Sequence, residues 1–542
     1  MTVADGRPAS PIAAAGGGRQ ADLATWLACA GCGWRPPLDR PIALRCEAAL
    51  PGDGIDHLLR RHLDPARLAF PTDDDPQPFV RFRTLSLAYH VARAAGWSDE
   101  RYVALVKRLD EAVAAVDGHG FGTTPFGRAD ALSSALGFAP RGGVFVKDET
   151  GNVAGSHKAR HLFGTLLGVE IAETVAREAG AAAATAGRPL AIASCGNAAL
   201  AAAVVARAAG RDLDVYIPPD AEPAVVARLR DLGARLTVCE RTPGEAGDPT
   251  YRRLLQAIAG GAVPFTCQGD LNGLAVEAGE TLGLELVADV IRRADHLDRL
   301  VVQVGGGALA SAAIGAFLDA RLLGLDLPLP RLHAVQTAGA FPLVRAYERL
   351  AARLLGLAED RDVADDALEI AGETDPPEAP RPSAAAHPDL ARADLLRALA
   401  ASPAGRHERT RAARHRAAFM WPWETEPRSI AHGILDDETY DWLAVLEGLL
   451  ASGGYPLVVD EPTLVQANAI ALRSTPSPVD ATGTAGLAGL LQLVERGAVG
   501  PAERVAVLFT GARRASVDAP ATPSTHRVPT VTVTAAARGP RT

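Results

Sequence analysis

Seven short runs rich in β-branched residues, VFVKDE, PLAIAS, LDVYIP, RLTVCE, RLVVQV, RLHAVQ and RVAVLF, are spread between Val144 and Phe509, and most lead through a loop into a stretch rich in alanine and leucine. Strands that alternate with helices pair in parallel. They form sheets covered on both faces, and such sheets offer ligands the carboxyl ends of their strands. The chemistry of this chain is therefore expected just after these runs.

A chain of 542 residues with 48% apolar residues can bury a large core, and its length sets a prior of roughly three to four domain-sized units. Its formal charge is −9 with basic residues scattered, so the footprint of nucleic-acid binding is missing and a small-molecule substrate is the default. Six cysteines in so long a chain are no disulfide scaffold. The opening MTVADGRPASPIAAAGGGRQ has no basic region followed by an apolar one, and no later window offers the ~20 apolar residues of a membrane span. The chain reads as a cytoplasmic protein with no membrane partner.

Composition divides the rest. Residues 1–20 and 516–542, rich in Ala, Gly, Pro and Thr, are expected to be disordered. Residues 21–121 are expected to form a helical extension, since LSLAYHVARAAG and ERYVALVKRLDEAVAAV repeat apolar residues at three and four spacing. The α/β region runs over 122–515, interrupted at about 359–416 by a Pro-rich and charged insertion, a linker or subdomain.

Four loops after strands carry candidate chemistry. In TGNVAGSHKARHL, Lys158 falls in the first turn of a helix for which Ser156 is the expected N-cap. A cation there opposes the helix dipole and deprotonates more readily, and a neutral lysine attacks aldehydes. A lone lysine is ordinarily a solvated one. A P-loop is rejected, because the glycine spacing is wrong and Ala159 replaces the hydroxyl residue. The turn Ser194, Cys195, Gly196, Asn197 has N–H groups and a hydroxyl suited to a carboxylate, or is a plain capped turn. Gly305, Gly306 and Gly307 open a helix after a buried strand, as a phosphate cradle does. They also match part of a dinucleotide fingerprint, but the next strand ends in Gln336 with no acid for a ribose, which disfavours a nicotinamide oxidoreductase. Thr510 ends the last run, where a hydroxyl can face a bound ring.

Together these parts resemble the pyridoxal-phosphate enzymes of the tryptophan synthase β type, fold type II, which include threonine synthase, threonine ammonia-lyase and cysteine synthase. KDETGNVAGSHKAR is similar to the family's lysine motif, SCGNAA to its asparagine loop, and GGGAL to its phosphate loop. NGLAVEAGETLGLEL, with Glu277, Gly279, Glu280, Thr281 and Glu285, resembles a helix motif of the family, ATGTAGLAGLL its late glycine-rich helix, and LFTG its strand-end hydroxyl. The resemblance covers roughly 122–513 without the insertion. It implies two doubly wound domains with parallel or mixed sheets, pyridoxal 5'-phosphate as cofactor, an amino-acid substrate and a homodimer.

By the same resemblance Lys158 is the Schiff-base lysine and proton shuttle, and Asn197 bonds the cofactor's 3′ oxygen. Gly305, Gly306, Gly307 and the N–H groups of Ala308 and Leu309 cradle the phosphate, with help from His157. Thr510 meets the ring nitrogen, and Ser194, Cys195 and Gly196 take the substrate carboxylate. A neutral hydroxyl at Thr510 leaves that nitrogen unprotonated and favours elimination over transamination. Ala159 and Arg160 stand where threonine synthases usually carry Asp-Arg, while WPWETEPRSIAHGI and VVDEPTLVQA resemble late segments of threonine synthases and ammonia-lyases. The expected reaction is elimination or replacement on a threonine, serine or O-phosphohomoserine-like amino acid. Cysteine-synthase-like β-replacement, or a catalytically silent cofactor-binding regulator, are the alternatives.

Cys29 and Cys32 form one C-x-x-C, with Cys46 further on. Some threonine synthases carry a metal-ribbon-like segment with two such pairs. His57 can complete a four-ligand set, but without a second C-x-x-C the segment reads as a ribbon remnant holding no metal. Cys195, Cys239 and Cys267 read as packing cysteines.

Overall fold

The computed structural model describes residues 23–241, 247–293, 295–358 and 390–514. The expected disordered ends and the Pro-rich first half of the insertion lie outside them. All seven β-branched runs are strands. Numbered in chain order, the strands are β1 (Thr25–Cys29), β2 (Leu59–Leu63), β3 (Phe126–Arg128), β4 (Gly143–Asp148), β5 (Leu190–Ala193), β6 (Leu213–Ile217), β7 (Arg235–Val238), β8 (Val263–Pro264), β9 (Arg299–Gln303), β10 (Arg331–Thr337), β11 (Leu457–Val459) and β12 (Arg504–Phe509).

Two main sheets result. One is six-stranded in the order β11-β10-β9-β12-β4-β3, parallel throughout except for the edge strand β3. The other runs β7-β6-β5-β8, all parallel. Each has its own core: Val301, Ala334, Val507 and Leu487 belong to the first, Ile192, Val215, Leu200 and Leu166 to the second. The long helices Lys158–Glu178 and Leu274–Arg292 pack together. They approach closely because Gly164 leaves room: a β-carbon there would run into Ala278.

One expectation is corrected and one alternative is settled. The extension is only partly helical. Its helices Leu87–Ala94 and Asp99–Asp117 form as the apolar spacing requires, the second capped by Ser98, whose Oγ accepts from the Arg101 N–H at 3.2 Å. Before them β1 and β2 pair antiparallel, and Cys29 at the end of β1 comes together with Cys32, Cys46 and His57 of the connecting loop. Of the two readings of the insertion, linker or subdomain with a basic helical stretch, its described half fits the second. Its second half folds into helices Leu390–Ala401 and Pro403–Arg414, which bury Ala393, Leu396, Ala412 and Ala413 in the main core and tie Glu408 to Arg353 at 2.6 Å.

Candidate active site

Lys158 opens its helix after a strained turn. Ala154 has φ 55°, the one positive φ outside glycine among the described residues, and such conformations persist only where surroundings enforce them. Here the Asp117 carboxylate holds the Ala154 N–H at 2.8 Å. Ser156 is not the cap: His157 occupies that position with helical backbone, and Ser156 instead bridges Gly511 with its Oγ buried and unpartnered.

Beneath the lysine lies a buried ion network. Arg160 Nε is 2.9 Å from Glu149, its Nη1 is 2.7 Å from Glu285, and Lys147 Nζ is 2.5 Å from Glu285. Thr124 and Asn152 donate to Glu149 at 2.5 and 2.6 Å, and Arg160 reaches Thr281 at 3.3 Å. Two cations face two carboxylates, so the cluster is neutral, as buried charges must be. The lysine motif supplies Lys147, Glu149 and Arg160, the helix motif Thr281 and Glu285. Both motifs therefore meet to fix the turn that carries Lys158. Gly279 is required by the same fit, since any side chain there would enter the His161 ring.

Around Lys158 the strand ends converge. His157 Nδ1 is 3.0 Å from the Thr510 carbonyl and so carries the proton. Burial and the neighbouring Lys158 push its pKa well below the usual histidine value. A neutral ring with Nδ1 donating leaves Nε2 a buried, unpartnered acceptor. That nitrogen suits an N–H or O–H partner, not a phosphate. Gln303, at the end of β9, donates to Thr510 Oγ1 at 2.6 Å and to the Gly483 carbonyl at 3.1 Å. The Thr510 hydroxyl keeps its own proton to give. Asn197 hydrogen-bonds Asp480, has its Nδ2 against Gly511, and leaves Oδ1 buried without a partner. The Ser194 hydroxyl accepts from the Gly196 N–H at 3.4 Å within the same turn, and Cys195 is half-buried beside it. Asn197 is the member of this turn that reaches the other strand ends.

Sequence reasoning missed what covers the glycine loop. Gly307 has φ 99° and caps the helix Ala308–Leu322. Side chains at Gly305, Gly306 or Gly307 would strike Ile434, Asp436, Thr439, Tyr440 and Asp441. The glycines are thus demanded by a segment more than a hundred residues away, which the late WPWETEPRSIAHGI motif leads into. Asp436 is part-buried there, accepts from the Gly306 N–H and feels the charge of Lys158. Its carboxylate is an anion already seated at the helix N-terminus, where such groups are favoured. Gln336, by contrast, is a buried cap: its Oε1 accepts from the Leu343 N–H at 2.9 Å.

Burial raises the Asp436 carboxyl to about 6, against the opposing pull of Lys158 and the Gly306 N–H, with Asp248 and Asp437 adding to the rise. A folded-state pKa above the unfolded value means that the folded protein holds the proton more tightly. This stabilisation is present below about pH 4 and lost as pH rises through about 6. A shift from 3.8 to about 6 corresponds to about 3 kcal/mol. Asp436→Asn, measured by urea unfolding of the cofactor-free protein, should therefore be more stable than wild type at pH 8 by up to about 3 kcal/mol and equal to it near pH 4. Equal effects at both pH values would show that this carboxyl does not titrate in the fold.

Residues 119–376 match the family model described as "Pyridoxal-phosphate dependent enzyme". A threonine synthase of Synechocystis sp. is 31% identical over 229 residues, 41% of this chain and 53% of its own length. A threonine synthase of Methanocaldococcus jannaschii is 21% identical over 392 residues, 72% of this chain and 74% of its own. The match to the first thus spans about half of that relative (53%). Among solved structures, a T.th. threonine deaminase aligns with a TM-score of 0.47 at 20% identity, over 76% of this chain and 99% of that one. Among the described residues no helix is long and apolar enough to cross a membrane. The family match, with the ordered motifs and the parallel sheets, marks residues 119–376 as a domain of the pyridoxal-phosphate-dependent enzymes of fold type II.

Proposed function

We propose that this enzyme is a lyase or synthase that takes the α-proton of a hydroxy or O-activated amino acid of the threonine, serine or O-phosphohomoserine class and expels a β- or γ-leaving group. One observation carries the reading: Lys158, without a hydrogen bond among the described residues, sits where the glycine loop, Asn197 and the neutral Thr510 converge. The likeness to proteins named threonine synthase supports the substrate class.

The residues present fit pyridoxal phosphate. Ser156 Oγ, His157 Nε2, Asn197 Oδ1 and Gln303 Oε1 are buried polar atoms lacking protein partners, and all belong to residues gathered about Thr510 and Gly511. The glycine loop already holds an anion in Asp436, whose place a phosphate would take. The N–H groups of Gly305 to Leu309 would hold the phosphate, Asn197 the 3′ oxygen, Thr510 the ring nitrogen, and the Ser194 to Gly196 turn the substrate carboxylate. When bound, the group supplies an electron sink for charge developing at the α-carbon.

The chain's own residues do the rest. Lys158 takes up the α-proton and delivers it where the leaving group departs. His157 Nε2, kept as a bare acceptor with no partner in the protein, is free to take an N–H or O–H of the bound group or substrate. Thr510, donating from a hydroxyl held by Gln303, presents no full charge to the ring and keeps the sink weak, which favours departure of a leaving group over transamination.

Cofactor-loaded enzyme offered threonine, serine, O-phosphohomoserine and O-acetylserine should turn over a member of this set. Phosphate release with threonine formation marks a synthase, and ammonia release with a 2-oxo acid marks a lyase. Turnover confined to O-acetylserine with sulfide would replace this reading by β-replacement. Cofactor binding without turnover of any of the four would make the protein a silent binder.

A further inference from the structure

The loop from Ala30 to Leu58 joins β1 to β2, and it is longer than the about 12–15 residues that loops without their own structure usually reach. Cys29 ends β1, and the loop carries Cys32, Cys46 and His57. The three sulfurs and a His57 ring nitrogen all lie within 4.8 Å of one another, the one such group of potential ligands among the described residues. Cys29 Sγ is 3.5 Å from His57 Nδ1, and Cys32 Sγ is 3.7 Å from Cys46 Sγ. Sulfurs about 2.3 Å and an imidazole nitrogen about 2.0 Å from one tetrahedral centre stand about 3.6 Å apart for sulfur and nitrogen, and about 3.8 Å for two sulfurs. The observed pairs have that spacing.

We propose that Cys29, Cys32, Cys46 and His57 hold one zinc ion in a closed Cys3His site. The imidazole is set for it. His57 Nε2 is 2.8 Å from Asp53 Oδ2, and Asp53 is itself held by the Leu50 and Ile55 N–H groups at 3.1 and 3.0 Å. A carboxylate that takes the Nε2 proton leaves Nδ1 bare toward the sulfurs, the arrangement of a metal-bound histidine and its supporting acid. The Trp34 N–H points at Cys32 Sγ at 3.5 Å, a donor suited to a thiolate. Four protein ligands leave no open position, so the ion is structural.

What it fixes can be read from the loop's contacts. The Asp56 N–H bonds the Ala413 carbonyl at 2.7 Å, the Arg416 N–H bonds the Gly54 carbonyl at 2.8 Å, and the Gly273 N–H bonds the Leu44 carbonyl at 2.8 Å. Arg416 then pairs with Asp56 at 3.6 Å and with Glu438, two residues from Asp436. The metal knot thus fastens the helical insertion and the segment over the glycine loop to the body, whatever reaction the enzyme runs.

Metal analysis of protein purified without chelator should find about one zinc per chain, and cobalt(II) in its place should give the visible bands and near-ultraviolet sulfur charge transfer of a tetrahedral thiolate site. His57→Ala and Cys46→Ser should each retain less than about a tenth of that zinc, His57→Cys should retain it, and Asp53→Asn should weaken binding about 10–100-fold. Should the ligand variants not fold, cobalt titration of metal-stripped wild type decides alone. Wild type with less than about a tenth of a zinc per chain and no cobalt absorption, or a Cys32–Cys46 disulfide in protein isolated under reducing conditions, overturns the proposal.

Discussion

Arg160→Met is expected to cost about 3–5 kcal/mol of folding stability, the largest loss of any single substitution near the site. Arg160 is 1% exposed and neutralises Glu149 and Glu285, which are fully buried. Without it Lys147 alone faces two carboxylates, and Glu149 keeps only Thr124 and Asn152 as direct donors. Its carboxyl, held low chiefly by Arg160 against burial, would then resist ionisation. The double variant Arg160→Met, Glu149→Gln removes one charge of each sign. It should recover part of the loss, giving a coupling energy of more than about 1 kcal/mol in a urea-unfolding cycle. A single-variant cost below about 1 kcal/mol would mean that water reaches the cluster.

This network shows how far the sequence can be read. Lys147, Glu149, Arg160, Thr281 and Glu285 all stand in motifs visible along the chain, yet nothing in their spacing tells that they neutralise one another. Residues over a hundred positions apart meet only when the helix Leu274–Arg292 packs against Lys158–Glu178. The strands were legible because β-branched runs bounded by turns have few other uses; β8 and β11, two and three residues long, leave too short a pattern. Gln303 had a signal, a lone polar residue closing an apolar strand. Asp436 had none, since it lies in an acidic stretch that reads as surface, whereas His57 was named as a fourth ligand for its cysteines although the missing second C-x-x-C argued against a metal. The basic stretch late in the insertion read as helical and is so over Leu390–Ala401 and Pro403–Arg414, but its charged composition hid that its alanines and leucines join the main core.

Lys158→Ala should separate function from fold. Turnover should fall by about 10³-fold or more, within the range that a positioned acid–base group contributes, and borohydride reduction of cofactor-loaded wild type should label Lys158, with no label in the variant. Stability should move the other way or not at all. Lys158 makes no hydrogen bond among the described residues and stands at the N-terminal end of its helix, where a cation is unfavourable by about 0.3–1 kcal/mol. Removing it should leave unfolding unchanged or raise it by that amount. An energetically idle or costly lysine, set on a turn that a fully paired ion network keeps rigid, is understandable only if its amine is needed for chemistry. A variant that loses both turnover and stability would instead place Lys158 among the structural cations, with Arg160 and Lys147.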